Sequence, residues 1–133
     1  MIKNITDNDI INGSFVIPEG VTEIRDYAFY ECSSLTNITI PKSVTEIGEG
    51  AFYGCNSLTN ITIPEGVTEI GIEAFGDCSS LSSIIIPESV TEIGDWAFYE
   101  CSSLKKVSLP KKVKLGIDVF CRCHPDIEIV YRD

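Results

Sequence analysis

The chain has 133 residues, a formal net charge of -10 and 44% hydrophobic residues, of which only six Phe, five Tyr and one Trp are aromatic. This length suits one domain, residues 1–133, whose interior is filled mainly by branched aliphatic side chains. No run approaches the roughly 18 consecutive apolar residues of a membrane-spanning helix, and a polyanion is repelled by nucleic acid and by anionic lipid.

The opening stretch, MIKNITDNDIINGSF, has no basic segment followed by an apolar run, so it does not read as a secretory signal. The expectation is a cytoplasmic chain if the sequence is complete, and a cell-surface or secreted one if a signal has been removed. Met1–Phe15 is expected to form an N-terminal cap, with Ile5, Ile10, Ile11 and Phe15 covering the first coil.

From there one short unit is copied about five times. Pro18, Pro41, Pro64, Pro87 and Pro110 are 23 residues apart, and Cys32, Cys55, Cys78 and Cys101 keep the same step, as do Phe29, Phe52, Phe75 and Phe98. A fixed period of this size marks a solenoid, in which each unit contacts its neighbours and presents a long repeated surface. Residues 16–109 hold the regular repeats, and 110–133 an irregular last repeat and cap that includes Ile127–Tyr131.

Within a unit, Leu35, Ile38 and Ile40 give a short strand with apolar side chains turned inward. Pro41 ends it, since proline cannot donate to a ladder. Val44–Ile47 is a second extended piece, Gly48 permits a sharp turn, and Ala51–Cys55 suits one helical or 3₁₀ turn. The coil from Leu35 to Cys55 would bury Leu35, Ile38, Ile40, Val44, Ile47, Ala51, Phe52 and Cys55. Each is worth about 1.5–3 kcal/mol, against about 1–2 kcal/mol per residue of backbone ordering, so one coil is stable only when stacked. Five coils about 4.8 Å apart make a rod roughly 24 Å long.

The pattern L-x-x-I-x-I-P-x-x-V-x-x-I-G-x-x-A-F-x-x-C stands as LTNITIPKSVTEIGEGAFYGC (35–55), LTNITIPEGVTEIGIEAFGDC (58–78) and LSSIIIPESVTEIGDWAFYEC (81–101). Over about residues 14–123 it resembles the BspA-like leucine-rich repeats. The resemblance implies a leucine-rich-repeat solenoid whose L-x-x-I-x-I strands line a concave parallel sheet, and proteins of bacteria and protists, many displayed on cell surfaces and linked to adhesion or host-protein binding.

On that sheet the outward positions form three columns: Thr36, Thr59, Ser82, Lys105; Asn37, Asn60, Ser83, Lys106; and Thr39, Thr62, Ile85, Ser108. A flat row of small polar groups can hydrogen-bond an extended ligand; the plain alternative is that Thr and Ser merely suit a solvated strand. Ile85 is an apolar centre among hydroxyls and can anchor a partner. A second patch is Trp96 and Tyr99 with the basic Lys111, Lys112 and Lys114; residues 105–133 hold seven Lys/Arg against four Asp/Glu, while residues 1–104 hold three against 16. The recurring Glu23, Glu46, Glu69 and Glu92 read as a solvated edge that discourages strand pairing, or as a stripe for a cation or basic peptide.

The recurring cysteines, Cys123 included, read as a reduced, buried spine whose thiols have raised pKa values. Cys121-Arg-Cys123-His124 is the one run with metal-ligand types side by side, but a zinc site needs four ligands and no second pair is present. There is no G-x-S-x-G, phosphate loop or dinucleotide fingerprint. The reading is therefore a non-enzymatic protein- or peptide-binding scaffold without a cofactor. A surface adhesin fragment or a metal or thiol site at Cys121, Cys123 and His124 are the alternatives. Self-assembly through the ends of the sheet stays open.

Overall fold

A computed structural model of the protein describes residues 5–132; residues 1–4 of the expected cap and residue 133 lie outside the described residues. The chain is a parallel β-solenoid of about five coils, each counted from its strand to its cysteine. After a 3₁₀ turn at Asp7–Asp9, the strands in chain order are β1 (Ser14–Val16), β2 (Glu23–Ile24), β3 (Asn37–Thr39), β4 (Glu46–Ile47), β5 (Glu69–Ile70), β6 (Ser83–Ile85), β7 (Glu92–Ile93), β8 (Lys106–Leu109), β9 (Lys114–Leu115) and β10 (Glu128–Tyr131).

They pair in two tracks. On the strand face, β1 pairs with β3, and β6, β8 and β10 form a three-stranded sheet. Coil three interrupts this track, because only Asn60 bridges back to Asn37. The second track is an unbroken five-stranded sheet, β2-β4-β5-β7-β9, built from the VTEI segments. Its register repeats the sequence period, Glu23 opposite Glu46, Glu46 opposite Glu69 and Glu69 opposite Glu92. These glutamates therefore stack coil upon coil along the sheet with their side chains exposed.

The interior is the stack that the period implies. Phe29, Phe52, Phe75 and Phe98 are fully buried, with successive ring centroids 5.1, 5.2 and 5.2 Å apart and planes within 8° of parallel. Phe15 closes one end edge-on at 5.4 Å and Phe120 continues the stack at 5.6 Å. Seven of the eight side chains expected inside the second coil are buried, and Ile40 is partly so.

The Ala51–Cys55 turn is not helical. Gly50 and Gly54 have left-handed backbones, as do Tyr27 and Glu31, Glu73 and Asp77, Trp96 and Glu100, and Asp118 and Arg122 in the other coils. Two left-handed residues per coil make the amides alternate. Those of Ala51, Tyr53 and Cys55 close turns within the coil, while those of Gly50, Phe52 and Gly54 donate forward to Ile72, Ala74 and Gly76 carbonyls at 2.7–2.9 Å. A helix would tie every amide inside its own coil; this backbone spends half of them on the next one. In the VTEI track the bonds run the other way, with Thr68 and Gly71 amides donating back to Thr45 and Ile47.

Gly71 is required by proximity and not by its dihedrals. A Cβ there would lie 2.7 Å from the Glu49 amide nitrogen and 2.7 Å from the Gly48 carbonyl carbon, and Gly48, Gly94 and Gly116 meet the preceding coil in the same way. The first coil has no full coil before it, and there the position is Arg25, exposed.

Candidate binding surfaces

The strand face presents the residues expected of it. Thr36, Asn37, Thr39, Thr59, Asn60, Thr62, Ser82, Ser83, Ile85, Lys105 and Lys106 are exposed and Ser108 is half-buried. Alternation makes this so: in β6, Ser83 and Ile85 point outward while Ile84 packs inside. Ile85 is 70% exposed. It lies opposite Ser108, which lies opposite Val130, and Lys106 stands between Ser83 and Glu128. These six side chains line a shallow depression of about 520 Å³.

Arg132 reaches one lining residue, Ser108. Its guanidinium donates to Ser108 Oγ at 2.6 Å and to the Ile86 carbonyl, and lies 3.4 Å from Glu88 Oε1. The last strand is thus tied across two coils, and the Ser108 hydroxyl already accepts a hydrogen bond. Nothing in the repeat pattern marks Arg132, because its partners lie 24 to 46 residues away in sequence. The stretch 127–131 adds β10 to the sheet in register with β8, and all four β10 residues are exposed.

On the VTEI track Glu23, Glu46, Glu69 and Glu92 are exposed, and Lys114 takes the next place in the row, opposite Glu92. The threonine beside each inner glutamate adds a hydrogen bond along the rod. The Thr45, Thr68 and Thr91 hydroxyls donate to the carbonyls of Thr22, Thr45 and Thr68, each at 3.3 Å.

The turn face is aromatic and acidic. Tyr27 donates to Glu49 Oε2 at 2.7 Å, and this bond raises its pKa. Tyr30 stacks on Tyr53 at 5.6 Å. The Tyr53 pKa is raised by partial burial and then by the negative charges of Asp77, Glu73 and Glu100. Rings lean over glycines of the next coil: a Cβ at Gly50 would meet the Tyr27 ring at 2.5 Å, and one at Gly76 the Tyr53 ring at 2.7 Å. The position before Ala-Phe, variable in sequence, is therefore constrained by its left-handed backbone and by its neighbour's ring.

Trp96 and Tyr99 belong to this face, where with Glu73 they line a cleft of about 340 Å³. Lys114 lines a different depression, with Glu92, Asp95 and Ile72. Lys111 and Lys112 are exposed in the turn after Pro110.

The cysteine column has a specific task. The Cys78, Cys101 and Cys123 thiols donate to the carbonyls of Phe52, Phe75 and Phe98 in the preceding coil at 3.1–3.2 Å. Burial, then the nearby Cys55, holds the Cys78 thiol well above its ordinary value. A hydrogen bond with Cys123 and burial push Cys101 up, and the same bond pulls the half-buried Cys123 down, against the expectation of a uniform rise. Near the C-terminus, His124 Nδ1 accepts the Asp126 amide at 2.9 Å. Among the described residues no three His, Cys, Asp or Glu side chains converge as a metal site would need. No described helix is long and apolar enough to cross a membrane.

No curated protein matches the chain. Solved structures do. The T. pallidum leucine rich repeat protein is 38% identical with a TM-score of 0.83, covering 89% of this chain and 58% of that one. A leucine rich cell surface protein of Faecalibacterium prausnitzii A2-165 is 37% identical with a TM-score of 0.86, covering 91% and 32%. A leucine-rich repeat protein from Bacteroides ovatus is 28% identical with a TM-score of 0.69, covering 90% and 37%. The chain thus spans about a third to just under three fifths of the length of these relatives. The family described as BspA type leucine-rich repeat region, in six copies, matches residues 7–125. With this match over most of its length and a solenoid of the corresponding period, the chain belongs to the BspA-type leucine-rich repeat family.

Proposed function

We propose that the protein is a non-enzymatic scaffold that binds another protein or a peptide through its strand face, at the C-terminal half of that face. The observation that carries this is Ile85, 70% exposed, which lines one depression with Val130 two strands away, Ser108 between them, and Lys106 and Glu128 bordering it. Two exposed aliphatic side chains flanking a serine, bordered by one cation and one acidic residue, resemble the apolar centre and charged rim of a protein interface. An interface of ordinary size would bury about 1,600 Å² in total and would extend from there over Asn60, Thr62 and Ser83. The net negative charge disfavours nucleic acid as the partner.

The test is affinity capture from source-cell and host extracts with the whole chain and with Ile85→Glu and Asn60→Ala variants, followed by affinity measurement on the protein recovered. Ile85→Glu is expected to weaken binding about tenfold or more, the effect of removing a central contact. Undiminished capture by both variants would refute the strand-face reading. A second reading, display on a cell surface as an adhesin, is favoured by the Faecalibacterium prausnitzii relative, itself described as a cell surface protein. Protease treatment of intact source cells tests it: loss of the protein supports display, and full protection removes it.

A further inference from the structure

The turn face carries a second, chemically different site. Trp96 is 40% exposed. With Tyr99 from its own coil and Glu73 from the coil before, it lines an open cleft of about 340 Å³. In coils one and two the aromatic side chains of this face are occupied: Tyr27 lies edge-on to Tyr30 at 5.7 Å and donates to Glu49, and Tyr30 stacks on Tyr53. Trp96 and Tyr99 instead border a space, and the third wall of that space is a carboxylate. Two aromatic side chains and one acidic residue around a volume of this size suit an ammonium group, which ring quadrupoles and negative charge attract. Asp77 and Glu100 lie with Glu73 near enough to Tyr53 of the same face to act on it by charge. One cation already sits on this face, the Arg122 guanidinium 3.7 Å from Glu100.

We propose that this cleft receives a lysine side chain from a basic, extended segment of a partner protein, with Trp96 and Tyr99 packing on the ammonium and its methylenes and Glu73 pairing its charge. A protein segment is the better fit than a free amine because the acidic residues run on past the cleft, so that each further lysine gains from them. The site is independent of the strand-face reading.

Trp96 is the single tryptophan of the chain and reports on its own cleft. The whole protein is titrated at low salt with a lysine-rich octapeptide, with a glutamate-rich octapeptide, and with n-butylammonium. Trp96 emission is followed, with calorimetry alongside. A saturable emission change is expected with the lysine peptide alone. Glu73→Gln should weaken binding about threefold to fivefold and Trp96→Gly about tenfold, in line with a desolvated cation–π contact. Trp96→Gly is chosen because coil two carries Gly50 at this place with the same left-handed backbone. An unchanged thermal midpoint verifies that the fold survives, and if it falls, Trp96→Asn serves instead. Ile85→Glu should leave peptide binding intact. A peptide that binds the variants as tightly as the wild type, or leaves Trp96 emission unmoved, overturns the proposal. So does n-butylammonium binding as well as the peptide, which would make the cleft a small-amine site.

Discussion

The VTEI track and the strand face run side by side along one rod, yet only the first is continuous. Its strands are two residues long, and all five pair in register. The strand face has longer strands and loses its pairing at coil three. Residues 35–41 and 58–64 are the same LTNITIP, but the first forms β3 and the second a single bridge. Pairing on that face is therefore set by what the neighbouring coils offer, and not by the string itself. Cohesion along the rod comes from elsewhere: the phenylalanine column, the forward-donating amides, the threonine hydroxyls and the thiol-to-carbonyl bonds. The strand face carries little of that load, so its outward side chains are free to differ, as Ile85 and the lysines do.

The largest expected effect is in the column. Phe52 is stacked on both sides, and Phe52→Ala should cost about 3–5 kcal/mol in urea unfolding. Phe120 is half-buried and stacked on Phe98 at the end of the column, so Phe120→Ala should cost less than half as much. Equal costs would mean that the column does not draw stability from both neighbours.

Next comes the close approach of backbones. Gly71→Ala drives a Cβ against three backbone atoms of coil two, which has no flexible side chain to yield there. A loss of about 1–3 kcal/mol is expected, as for overpacking. Arg25→Ala, at the same place in the first coil, should stay within about 0.5 kcal/mol of wild type. Thermal or urea unfolding of the pair measures the difference.

The thiols make a third prediction, in pH. Cys78 and Cys101 have folded-state pKa values above the ordinary 9.0. Below that value both states hold the proton and the stabilisation is fully present. Above it the unfolded chain releases protons that the folded chain keeps, so stability falls as pH rises, by about 1.4 kcal/mol per pH unit for each thiol. Urea midpoints should drop from about pH 9 to about pH 10.5, whereas the lowered Cys123 contributes the opposite sign below pH 9. A Cys78→Ala variant, less stable at neutral pH, should show a shallower slope.

Much of the fold is legible in the sequence because a period is a strong signal. The steps at Phe29, Phe52, Phe75 and Phe98 and at the cysteines place those residues in columns by spacing alone. The left-handed residues are not legible, because Tyr27, Glu31, Glu73, Trp96 and Glu100 are residue types that rarely adopt that backbone. The hint lies in coil two, where glycine stands at both positions. The VTEI segments read as short extended pieces, but that they join into one sheet across all five coils depends on stacking and not on the string itself. The four glycines before the turn read as bends when their role is to let two backbones touch. On the binding surfaces, outward columns follow from alternation alone. The Arg132 staple and the Trp96 cleft depend on residues from different coils meeting in space, which spacing within one repeat does not encode.

The smallest effect bears most directly on the two tracks. Thr68 on the VTEI track and Thr62 on the strand face are both exposed, both outside any turn, and six residues apart in one coil. Thr68 donates its hydroxyl to the Thr45 carbonyl, whereas among the described residues the Thr62 hydroxyl has no partner. Thr→Val keeps the shape and removes the donor. At Thr68 the loss should be about 0.5–1.5 kcal/mol, the net worth of one hydrogen bond. At Thr62 it should be near zero, because the position is exposed and its hydroxyl has no bond to lose. If the two substitutions cost the same, the VTEI track is no more cohesive than the strand face, and the freedom assigned to that face loses its physical basis.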